Sequence, residues 1–169
     1  MVGTFSQGWP SFLQKLSIPV TPQISEMGDW IGRNLQAAAT TLFDSDPRTL
    51  IHYDVQADNL FFGKADGEVI FIDWQLATYG RCVIDVAGWI RGQLEPEVRR
   101  TTESRLLRLY HNSLVANGVQ DYTFEQCRAD YRLATVLRPA LLASAVGVSE
   151  GLQAHPGAFW DTLITRYPD

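Results

Sequence analysis

His52-Tyr53-Asp54-Val55-Gln56-Ala57-Asp58-Asn59-Leu60-Phe61-Phe62 and, after a short connector, Val69-Ile70-Phe71-Ile72-Asp73-Trp74-Gln75 decide how this chain is read. Leu60-Phe61-Phe62 and Val69-Ile70-Phe71-Ile72 are short apolar runs of strand character. The connector Gly63-Lys64-Ala65-Asp66-Gly67-Glu68 is rich in turn formers and holds an Asp-Gly pair. The two runs therefore read as a β-hairpin. If Phe62 pairs with Val69, then Leu60 faces Phe71 and Asn59 faces Ile72. Asn59 and Asp73 then emerge together at the open end, one strand spacing of ~5 Å apart. Asp54 lies just upstream, in the loop that feeds the first strand. A carboxylate and an amide oxygen suit a hard divalent cation such as magnesium, which completes its shell with phosphate and water. A second carboxylate left beside them suits phosphoryl transfer, where it orients or deprotonates the attacking hydroxyl.

Outward from this core the chain is mostly helical. Residues 1–23 are rich in breakers (Gly8, Pro10, Pro19, Pro22) and read as an irregular lead-in with one helical piece near Phe12 to Leu16. Met27, Ile31, Leu35, Ala38 and Leu42 mark one face of a helix over 24–45, ending before Asp46-Pro47. Residues 49–80 are the catalytic loop and hairpin, and 84–169 a helical subdomain. In it, Asn117-Gly118 stops one helix and Thr123-Phe124-Glu125-Gln126 caps the next. Pro139 is expected to kink or end that helix, and a further one to run from Ala140 to Val148. The expected fold class is α+β, mostly helical, in a single domain over 1–169.

The balance of 46% hydrophobic and 20% charged residues is that of a globular domain, and 169 residues can bury a core. A net charge of -5 speaks against a nucleic-acid surface. The two cysteines, Cys82 and Cys127, form no CxxC pair and read as reduced thiols. No leader pattern and no membrane-length apolar run is seen, so no membrane partner and a cytoplasmic location are expected. The arginines Arg99, Arg100, Arg105 and Arg108 read as a solvated helix face. Trp30, Trp74, Trp89 and Trp160 read as core.

The spacing His52-x-Asp54-x-x-x-x-Asn59, followed by Ile72-Asp73, resembles the catalytic loop and metal-binding Asp of protein-kinase-like enzymes. Tyr53 and Asp73-Trp74-Gln75 point away from protein kinases. From about residue 25 onward the chain is similar to the aminoglycoside phosphotransferase and ecdysteroid-kinase-like superfamily. There the loop usually reads His-Gly-Asp, often ends in Asp-Asn like Asp58-Asn59, and is followed by Asp-Trp-Gln and a later Asp-Val-Ala like Asp85-Val86-Ala87. The resemblance implies Asp54 as catalytic base, Asn59 and Asp73 as ligands of magnesium and hence of ATP, and His52 and Asp85 as structural supports. Trp74 and Gln75 are candidates for a pocket wall. Tyr53 stands where the superfamily usually has Gly.

A kinase-like enzyme also needs a strand-rich lobe with a glycine-rich loop and a lysine, in front of the catalytic loop. The residues before His52 read as loop and helix. Lys64 sits at the hairpin tip, away from the open end. The chain is thus expected to be a kinase-like C-terminal lobe of an enzyme that transfers phosphate from ATP to a small-molecule hydroxyl, truncated and weakly active or inactive alone. The alternative is a non-catalytic remnant that binds a ligand or partner. Self-association through the face left by the absent lobe is expected with either. A metal-dependent hydrolase on His52, Asp54 and Asp73 is a third reading, weakened by a total of three histidines.

Overall fold

A computed structural model describes residues 2–65, 67–146 and 156–166. The chain divides into two compact units, residues 1–40 with 136–169, and residues 41–135.

The first unit is helical. Helix α1 covers Val2–Leu13 and α2 covers Pro22–Ala39. The irregular lead-in expected over 1–23 is therefore a helix for most of its length, and it runs through Pro10. Packing overrides the local breaker signal. Phe5, Trp9 and Phe12 stack along one side of α1, with ring centroids 5.5 and 5.3 Å apart. Pro10 lies on the exposed side. Thr21 caps α2, its hydroxyl accepting from the Ile24 N–H. Ile24, Ile31, Leu35 and Ala38 are buried on its inner face. The chain then widens into a π turn over Thr40–Asp44.

Helix α6, Leu137–Val146, packs on α1. The two backbones approach so closely at Gly8 that a Cβ there would lie 2.0 Å from the Ala143 carbonyl oxygen. Pro139 falls in the first turn of α6, where its missing N–H costs nothing, and does not kink the preceding helix. The helix expected over 140–148 thus starts earlier, and its last two positions lie outside the described residues, as does His155. Helix α7, Gly157–Thr165, buries Trp160 edge-on against Phe12.

The second unit holds two antiparallel ribbons and three helices. Strands β2 (Leu60–Phe62) and β3 (Val69–Phe71) pair Leu60 with Phe71, Phe61 with Ile70 and Phe62 with Val69, the register read from the connector. Asp66 of that connector lies outside the described residues. A second ribbon joins β1 (Thr49–Ile51) to β4 (Thr78–Gly80), with Thr49 opposite Gly80 and Ile51 opposite Thr78. Helices α3 (Val83–Gln93), α4 (Pro96–Ala116) and α5 (Phe124–Ala134) pack on one another. Gly118 takes φ 91 just past α4, and Thr123 with Gln126 forms the expected capping box of α5.

Ile51, Val83, Ala87, Ile90, Leu107, Cys127 and Tyr131 are buried in this unit. So is Arg99, which is 1% exposed and departs from the solvated face its neighbours Arg100, Arg105 and Arg108 do form. The ion pair of Arg91 with Glu103 at 3.0 Å, and the Tyr131 hydroxyl donating to the same carboxylate at 2.5 Å, tie α3, α4 and α5 together. Cys82 and Cys127 are free thiols, and burial pushes Cys127 up to about 11. Among the described residues no helix is long and apolar enough to cross a membrane.

Candidate functional site

Strand β1 carries Ile51 into the core, and the chain then turns sharply at His52 and Tyr53. Two consecutive backbone N–H groups face Asp85, in the first turn of α3. His52 N–H donates to its Oδ2 at 2.8 Å and Tyr53 N–H to its Oδ1 at 2.8 Å. One carboxylate thus satisfies two peptide donors that the turn takes out of any ladder. Burial raises the pKa of Asp85, and the bonds from His52 and Tyr53 partly offset this.

Tyr53 takes φ 65, the left-handed region. A side chain there costs about 1 kcal/mol relative to glycine. The ring of Tyr53 packs edge-on to Phe43 with centroids 5.4 Å apart, which offsets part of that strain. The position that in the superfamily usually carries Gly is therefore one whose backbone favours it, and Tyr53 is accommodated there.

His52 is 2% exposed and both ring nitrogens are engaged. Nε2 donates to the Ile72 carbonyl at 2.8 Å, which leaves Nδ1 as acceptor for the Asp54 N–H at 3.3 Å. The ring is thereby the neutral tautomer protonated on Nε2. It lies 4.7 Å from Trp74 and 6.0 Å from Phe71, centroid to centroid.

Asp54 follows, half-buried. Asn59 ends a short 3-10 turn over Ala57–Asn59 and is 6% exposed. Its amide nitrogen donates to the Asp54 backbone carbonyl at 2.9 Å and to Asp54 Oδ2 at 3.2 Å. What Asn59 has left to offer a cation is its amide oxygen. Two glutamines that sequence reading passed over join this loop. Gln56 Nε2 donates to Asp54 Oδ2 at 3.4 Å, and Gln93 Oε1 accepts from the Ala57 N–H at 3.1 Å. Gln56 could have been noticed from its place two residues after Asp54. Gln93 had no local signal, because it comes from the far end of α3.

Asp73 is held differently. Ile72 N–H donates to the Asn59 carbonyl at 3.0 Å, extending the β2–β3 ladder by one rung, and the Ile72 carbonyl accepts from His52. Asp73 is the next residue, exposed and left-handed at φ 60, ψ 62. It stands at the N-cap of a short turn over Trp74–Leu76 without capping it, and its Oδ2 accepts from Gln75 Nε2 at 3.3 Å. Trp74 is 47% exposed, with its indole N–H donating to the Phe71 carbonyl at 3.1 Å. Trp30 and Trp74 are thus exposed where core had been expected, while Trp160 is buried.

The expected triad is therefore drawn together in part. Asp54 and Asn59 touch directly, and Asp73 directly follows Ile72, whose N–H donates to the Asn59 carbonyl. Among the described residues no three His, Cys, Asp or Glu side chains gather as a metal site. The donor set that is present, the amide oxygen of Asn59 and the carboxylate of Asp73, consists of hard oxygens of the kind magnesium takes together with phosphate. Among the acidic residues of the helical part, Asp130 is 7% exposed and engaged by Tyr122 and Arg81. It is not available to line an acidic pocket.

Residues 4–120 match the ecdysteroid kinase-like family. The probable acyl-CoA dehydrogenase IBR3 of Arabidopsis thaliana is 39% identical over 67 residues, 39% of this chain and 8% of that protein. The chain thus spans a small part of the length of that relative. No solved structure matches. With most of its length matched, and with the His52–Asp73 motifs lying inside the match, the chain belongs to the ecdysteroid kinase-like family and so to the kinase-like superfamily.

Proposed function

We propose that this chain is the C-terminal lobe of a small-molecule kinase of the aminoglycoside-phosphotransferase kind, acting on a hydroxyl with ATP as donor. Asp54 orients the acceptor hydroxyl and takes its proton as the oxygen attacks the γ-phosphorus. A new P–O bond forms, and the bond from the γ-phosphorus to the bridging oxygen breaks, releasing ADP. Asn59 and Asp73 hold the magnesium, whose charge would neutralise the phosphates. His52 fixes the loop through Ile72, and Asp85 holds its two N–H groups. The observation that carries the reading is the direct bond of Asn59 to Asp54, in a loop whose two ends are clamped by Asp85 and Ile72.

The test is phosphate transfer from ATP and magnesium to a panel of hydroxyl acceptors, with calorimetric titration of manganese as a stand-in for magnesium. Turnover by this chain alone is expected to be weak, lost in Asp54→Asn, with metal binding kept in that variant and lost in Asp73→Ala. Metal binding that is indifferent to Asp73 and Asn59 would sink the assignment.

A second reading has its own observation. Phe61, Phe62, Ile70, Ile72 and Trp74 are all more than a third exposed on the β2–β3 ribbon and just after it. A ligand- or partner-binding module, self-association included, would use such a face. Light scattering that finds a monomer at all concentrations speaks against the self-association form of it.

A further inference from the structure

At the Thr49–Gly80 end of the β1–β4 ribbon the second unit holds a cavity of about 290 Å³. His52 follows Ile51 at the other end of β1. Roughly 10 Å of strand thus separates the cavity from the catalytic loop. Three segments make its wall. Arg48 and Thr49 enter β1, Arg81 leaves β4, and Leu114, Val119 and Tyr122 come from the junction of α4 and α5. That junction is built to present apolar surface. With Gly118 at φ 91, the Val119 N–H folds back to donate to the Leu114 carbonyl at 3.0 Å. Val119 is thereby set beside Leu114, as in helix ends closed by a hydrophobic contact.

Against this apolar wall stand two guanidinium groups. Arg48 bonds Asp46 at 3.1 Å and the Phe43 carbonyl at 3.2 Å. Arg81, whose side chain is only 13% exposed, is ion-paired but makes no hydrogen bond to its carboxylate. Its carboxylate neighbour is Asp130, at 3.6 Å, longer than a hydrogen bond. Asp130 Oδ2 already accepts from the Tyr122 hydroxyl at 2.9 Å. Arg81 Nε has no hydrogen-bond partner among the described residues. A mostly buried cation whose carboxylate stands beyond hydrogen-bond reach is costly to leave on a cavity wall, and an anionic ligand would relieve that cost. The space is enough for a small molecule.

The geometry points to a binding site for a small organic carboxylate here, with the carboxylate between Arg48 and Arg81 and an aromatic or branched body against Leu114, Val119 and Tyr122. None of these groups belongs to the Asp54 loop, so the outcome is independent of phosphoryl transfer. Benzoate serves as probe and benzyl alcohol as its uncharged counterpart. In amide-detected NMR titrations of the full chain, benzoate should shift Thr49, Arg81 and Val119 saturably below about 10 mM. Benzyl alcohol should bind roughly ten-fold more weakly, and Arg81→Gln should weaken benzoate by a similar factor. Should Arg81→Gln fail to fold, Val119→Trp, which fills the cavity, should abolish the shifts. Absence of saturable shifts, equal binding of the alcohol, or benzoate binding untouched by both substitutions would overturn the site.

Discussion

The loop that carries Asp54 and Asn59 and the ribbon that carries Asp73 meet at Ile72, and they are held by opposite means. The loop is wired by side chains. Asp85 takes two of its N–H groups, His52 reaches across to Ile72, and Asn59 folds back on Asp54. His52 and Asn59 are buried. The ribbon is held by backbone rungs between its strands, with His52 and Trp74 bonding carbonyls near its open end and apolar side chains facing solvent on both of its sides. One half of the site is therefore part of the fold, and its residues cannot be changed without cost to stability. The other half can be changed freely, and its cost appears only when a ligand is bound.

Substitutions at the two halves test this contrast, and the largest effect is expected at Asp85. Asp85→Ala leaves the His52 and Tyr53 N–H groups without an acceptor and should cost about 3 kcal/mol in urea unfolding of the chain. A loss under about 1 kcal/mol would mean that the turn holds itself. Asn59→Ala should cost about 1–2 kcal/mol, because the Asp54 carbonyl and carboxylate lose a shared donor, and should weaken manganese binding as well. Asp73→Ala should cost less than about 1 kcal/mol, since the position is exposed and only the better tolerance of Asp for the left-handed backbone is lost, while manganese binding is lost. If Asp73→Ala destabilises as much as Asn59→Ala, the two halves are not held differently and the contrast fails.

Smaller effects sharpen the picture of the loop. At Tyr53 the clean comparison is between Tyr53→Gly and Tyr53→Ala, which both remove the ring from Phe43. The glycine variant should be the more stable by about 1 kcal/mol, since it alone accepts the left-handed backbone without strain. Asp85 also gives a pH dependence of known sign. Its raised pKa means that the folded chain holds this proton more tightly than the unfolded chain does. The associated stability is present below the ordinary aspartate value and is lost as pH rises through the raised one. Asp85→Asn should remove that falling component from the urea midpoints as pH rises above the ordinary aspartate value of about 4, and an unchanged slope would exclude Asp85 as its source.

The parts of this molecule that follow local rules were legible in the sequence. The β2–β3 register follows from a short connector between two apolar runs. The Thr123 cap and the Gly118 stop each depend on residues a few positions apart. The order of the candidate residues, and with it the family, lay in the same short stretch. The parts that needed distant contacts were not legible. Helix α1 forms across Pro10 because its aromatic face packs with α6 and Trp160. Strands β1 and β4 pair across the whole hairpin between them. Arg99 is buried by the packing around it, which a helical charge pattern does not encode.

The motif by itself determined which residues carry oxygen toward the site, because residue type and spacing fix the chemistry on offer. Tertiary structure alone decided how His52-Tyr53-Asp54 is held. Asp85, 33 residues away, supplies the acceptors that let the backbone turn there, and Phe43 supports a tyrosine in a glycine's conformation. Peptide groups must find partners wherever the chain can bring them, and only the folded chain brings Asp85 to this turn.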